Sequence, residues 1–79
     1  MTLQEIEVRI REAIPDAWCL TVTESYVSRL DRDPVHYWMA GVWIGQQRPA
    51  VVEVGSDPET LIQAVRMAYA TWAMSPQEE

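Results

Sequence analysis

His36-Tyr37-Trp38-Met39-Ala40-Gly41-Val42-Trp43-Ile44 is the segment around which the rest of the chain arranges itself. Aromatic and β-branched side chains dominate it, and they alternate with period two, the pattern of a strand. Trp38, Ala40, Val42 and Ile44 fall on one side of such a strand and Tyr37, Met39 and Trp43 on the other. Upstream, Ala17-Trp18-Cys19-Leu20-Thr21-Val22-Thr23 alternates in the same way, with Trp18, Leu20 and Val22 in one set, and extends towards Tyr26 or Val27. Between the two, Ser28-Arg29-Leu30-Asp31-Arg32-Asp33-Pro34 is polar, charged and proline-ended and is expected to be a loop. Downstream, Gly45-Gln46-Gln47 suits a tight hairpin turn with positive φ at glycine, and a third strand is expected over about Pro49 to Val54.

A helix is expected on each flank of this meander. Leu3, Ile6, Ile10, Ala13 and Ile14 lie on one helical stripe, and Thr2-x-x-Glu5 has the form of a capping box. Pro15 disfavours helical geometry at the preceding residue and ends that helix. Ser56 or Asp57 can cap a second helix, whose first turn tolerates Pro58; Leu61, Ile62, Val65, Ala68, Tyr69 and Trp72 form its apolar stripe. The fold class is therefore α+β, in the order αβββα: a three-stranded antiparallel sheet with both helices on one face. Residues 1–75 form the single domain and residues 76–79 an acidic tail.

Composition narrows the function classes. The chain has 79 residues, 12 Asp+Glu against 6 arginines and no lysine, and a formal charge of -6. A phosphate backbone needs clustered cations, so neither direct nucleic-acid binding nor membrane binding is expected. No apolar run is long enough to span a bilayer. The start of the chain has no secretory pattern, and the single cysteine, Cys19, suits a reducing cytoplasm. With one His and one Cys, neither a metal site nor a cofactor is expected. A Cys19–His36 pair with Asp31 or Asp33 is the only sketch of a nucleophilic triad, and nothing in its spacing supports catalysis.

Three resemblances accompany this reading. Asp33-Pro34-Val35-His36, Gly55-Ser56 and the alanines Ala64, Ala68 and Ala70 resemble the second-strand opening and final helix of the double-stranded RNA-binding domain, which implies the αβββα order. Where that family carries its phosphate-gripping lysines, this chain has Asp57-Pro58-Glu59-Thr60, so RNA binding is not carried over. The passage from Val52 to Ala64 is similar to antitoxin domains of the HicB kind and to small phage-encoded anti-CRISPR inhibitors, which implies a protein-binding role in the cytoplasm, the host's if phage-encoded.

The expected site is the sheet face turned away from the helices. With Ala50, Val52 and Val54 pointing inward, that face carries Tyr37, Met39, Trp43, Val51 and Glu53 beside Thr21 and Thr23. The competing readings are a twist that folds Trp43 under the long loop, and an inverted register. Glu5, Glu12, Asp16, Asp31 and Asp33 are candidate carboxylates for steering towards a basic, nucleic-acid-handling protein surface. The expected function is a non-enzymatic protein-binding module, an inhibitor docking on such a complex; the alternative is an antitoxin-like or homodimeric module that pairs through the sheet face.

Overall fold

A computed structural model describes residues 1–45 and 47–74. The expected tail at 76–79 and Gln46 of the expected turn lie outside the described residues. The order is α1 (Leu3–Ala13), β1 (Cys19–Arg29), β2 (Arg32–Trp43), β3 (Val51–Gly55) and α2 (Pro58–Met74). The three strands form one antiparallel sheet in the order β1-β2-β3, which makes the chain an α+β domain of αβββα topology.

Both helices begin where local chemistry starts them. The Thr2 hydroxyl accepts the Glu5 amide at 3.1 Å, while Glu5 Oε1 takes the Thr2 amide at 3.2 Å, a closed capping box. At α2, Asp57 is the cap: its Oδ1 accepts the Thr60 amide at 2.8 Å and its Oδ2 the Thr60 hydroxyl at 3.0 Å. Each acid is held below its ordinary pKa, chiefly by the backbone hydrogen bond, from Thr2 for Glu5 and from Thr60 for Asp57, and secondarily by the hydroxyl of the same residue. Arg9 Nη1 lies 3.4 Å from Glu59 Oε1 and joins the two helices at the surface.

Ile6, Ile10 and Ile14 from α1, Ala40 and Val42 from β2, Val51 from β3, and Leu61, Ile62 and Val65 from α2 make one core. Leu20 and Val22 of β1 pack against it. All of these strand residues belong to one side of the sheet, so both helices cover that side and neither covers the other. Gly55 sets the distance between sheet and α2: a Cβ there would lie 2.5 Å from the Leu61 amide nitrogen and 2.7 Å from its Cα. Trp18, in the same alternating set as Leu20, precedes β1 and is exposed; its amide still donates to the Trp43 carbonyl at 3.1 Å.

Two expectations about the strands need correction. Residues 28–34 are not a loop. β1 runs on to Arg29, β2 starts at Arg32, and Arg29 pairs with Arg32 across Leu30-Asp31. Neither Leu30 nor Asp31 has positive φ, as no non-glycine residue among those described does, so this reversal is not one of the primed turns that match strand twist. A bulge absorbs the mismatch: Val27 pairs with Val35, which leaves Ser28 opposite both Asp33 and Pro34. The bulge is also where a proline without an amide proton fits a strand. The second correction is the phase of β3. Val42 pairs with Val51, Ala40 with Glu53 and Trp38 with Gly55, so Val51 and Glu53 lie on the helix side, while Val52 and Val54 face out. Val51 is 3% exposed and Val52 53%.

Because β3 reaches only as far as Trp38, the β1–β2 hairpin continues alone for six more residues, an arm of about 20 Å at strand rise. The molecule measures 45 × 24 × 20 Å.

Candidate functional site

The uncovered side of the sheet is built row by row from the strand register. Trp43 pairs with Cys19; Gly41 sits between Thr21 and Val52; Met39 sits between Thr23 and Val54; Tyr37 pairs with Ser25, and Val35 with Val27. None of these twelve residues is charged, in a chain that is 23% Asp, Glu, Lys and Arg. The expected contact residues Tyr37, Met39 and Trp43 are all here, and each is half-buried. The other two expected residues are not: Val51 belongs to the core and Glu53 to the helix side. Val52 and Val54 take their places, both about half exposed.

The half-burial of Trp43 has a local cause. A Cβ on Gly41 would lie 3.2 Å from Trp43 Cζ3, 3.3 Å from Cη2 and 3.0 Å from Thr21 Oγ1. The indole therefore lies down over the glycine instead of standing off the sheet. The result is an uncharged plate of apolar side chains with Thr21, Thr23 and Ser25 among them, wide across three strands and narrowing to two at Tyr37 and Val35.

Glu53 on the inner side is tolerated because β3 is an edge strand, and a long acid can reach solvent past an edge. The valines of β3 give no phase signal of their own, since both alternating sets contain them. The close approach of Gly55 to Leu61 is the signal that would have fixed it.

The carboxylates are dispersed. Glu5 is occupied by Thr2. Asp31 sits at the arm tip between Arg29, at 3.4 Å, and Arg32, at 3.8 Å. Glu12, Asp16 and Asp33 are exposed. None of the five occupies a paired row of the plate. At the root of the arm, on the helix side, His36 Nε2 donates to Glu24 Oε2 at 2.6 Å, since an ionised carboxylate only accepts. The His36 ring lies 4.2 Å from that of Trp38 and 6.1 Å from that of Tyr26.

No catalytic arrangement assembles from the residues considered. Cys19 is on the open face beside Trp43, whereas His36 is on the helix side and Asp31 at the arm tip, so the sketched triad is not brought together. Among the described residues no cluster of His, Cys, Asp and Glu could hold a metal ion. A surface groove of about 490 Å³ along α1 is lined by Met1, Thr2, Gln4, Glu5, Val8 and Arg9, and its one acid is the capping Glu5. Among the described residues no helix is long and apolar enough to cross a membrane.

No protein-family model, curated protein or solved structure matches the chain.

Proposed function

We propose that this chain is a non-enzymatic protein-binding module that acts by docking the open face of its sheet on a protein partner. The observation that carries this reading is the charge-free plate from Val35 to Trp43, flanked by Val52 and Val54 and left bare by both helices. Contiguous apolar surface rimmed by polar residues marks contact sites, and Trp, Tyr and Met are enriched where such contacts carry energy.

An inhibitor docking on a nucleic-acid-handling complex is the foreign-partner form of this reading. Its support is the net charge of -6 and the absence of lysine. The carboxylates free for steering are Glu12, Asp16 and Asp33 rather than the engaged Glu5 and Asp31. Association of this kind slows as salt rises.

The test compares wild type with Val54→Lys, a change at an exposed edge position of the plate. Self-association is followed by light scattering, and capture of proteins from a bacterial lysate by mass spectrometry. The reading expects the folded variant to lose either self-association or a captured protein. A folded variant identical to wild type in both would overturn it.

A further inference from the structure

We infer that the occupant of the open sheet face is a second copy of this chain, related by a two-fold axis, so that two sheets stack with the helices outermost. This rests on the docking reading above and names its partner.

Charge is the first argument. In a two-fold interface a patch meets itself, and any charge near the axis faces its own copy. The plate carries no charge at all, although the chain as a whole is -6. A basic partner would call for carboxylates on the contact surface, and they lie elsewhere. Shape is the second. Trp43 lies over Gly41, so its ring does not stand off the sheet, and a sheet face without a projecting ring can approach another sheet face to about 10 Å. Layering is the third. A domain with one apolar sheet side uncovered lacks a layer, and a second copy supplies it.

Area sets the strength. Val35 to Trp43 spans about 26 Å along the strand, and three strands span about 14 Å. Covering that plate on two copies removes roughly 800–1,000 Å² of surface, below the ~1,600 Å² of a standard interface. A contact of that size belongs with weak, reversible association, so the dimer is expected to dissociate on dilution.

Sedimentation equilibrium of the full chain, from about 5 to about 500 µM, tests this across the range that such an interface implies. The mass is expected to rise from one chain to two. Added salt is expected to tighten the dimer, because it screens repulsion between two copies of charge -6. Val54→Lys and Met39→Lys, each confirmed as folded by circular dichroism, are expected to weaken it by about tenfold or more, since each buries an unpaired charge in the contact and Met39, on the central strand, also brings like charges together near the axis. Met67→Lys, on an exposed position of α2, is expected to leave it unchanged. A wild-type chain that stays monomeric throughout overturns self-pairing; if Val54→Lys still loses a captured lysate protein, the docking reading survives with a foreign occupant. A dimer broken by Met67→Lys but indifferent to the two plate variants overturns the inference as well. If wild type is monomeric and Val54→Lys captures what wild type captures, both readings fall.

Discussion

Adjacent valines on β3 offer a sharp experiment, because the sheet assigns them opposite environments. Val51 is 3% exposed beneath the helices and Val52 is 53% exposed on the plate. Placing Asp at Val51 forfeits the burial of a valine, about 1.5–3 kcal/mol. It also forces a carboxylate into a core that contains no buried polar residue, at several kcal/mol more. The total exceeds about 5 kcal/mol. A 79-residue domain commands only about 4–12 kcal/mol of stability, so Val51→Asp is expected to be largely unfolded at 25 °C. Val52→Asp gives up only part of a half-exposed side chain and some strand preference, about 1 kcal/mol, or roughly 4–8 °C in Tm. A gentler pair keeps both proteins measurable. Val51→Thr buries a hydroxyl without a partner at about 1–3 kcal/mol, while Val52→Thr stays within about 0.5 kcal/mol. Urea midpoints and thermal melts by circular dichroism read all four variants. Were Val52→Asp to unfold the chain and Val51→Asp to leave it intact, the β3 phase would be inverted, and the composition of the plate with it.

Two further outcomes follow from the elements flanking the plate. Gly55→Ala drives a Cβ into the Leu61 backbone, which cannot yield as a side-chain tip would; a loss of about 2–3 kcal/mol and roughly 10–20 °C in Tm is expected, and an unchanged melt would contradict the close sheet-to-α2 approach. Asp57 has a depressed pKa in the folded chain, so its contribution is present above its ordinary, unfolded value and is lost as pH falls through the lower folded value. Asp57→Asn keeps an N-cap but removes this titration, so its Tm is expected to fall less than that of wild type on acidification from about pH 6 to about pH 2.5; parallel curves would exclude the Asp57 linkage.

The parts of the molecule that were legible in the sequence are those governed by near neighbours. The Thr2–Glu5 and Asp57–Thr60 caps, the isoleucine stripe of α1 and the alternation of β2 each depend on residues within a few positions, and each is as expected. The arm was hidden because its tip has none of the glycine or asparagine that announces a tight turn, and because Pro34 reads as a strand breaker unless a bulge receives it. The phase of β3 was hidden because Val51-Val52-Glu53-Val54 satisfies alternation either way, and an acid among valines points outward by default. Tertiary contact decides it: Gly55 must turn its bare side to Leu61. The plate was therefore readable on β2 and misread on β3.

The arm and the plate share a strand. β2 runs unbroken from Arg32 at the tip to Trp43 at the far end of the plate, and it is the central strand of the sheet. Leu30, fully exposed at the tip about 20 Å beyond the three-stranded part, is thus carried on the same hairpin as Tyr37 and Met39. A ligand reaching from the tip to the plate would follow one continuous strand end to end, with no change of element between them.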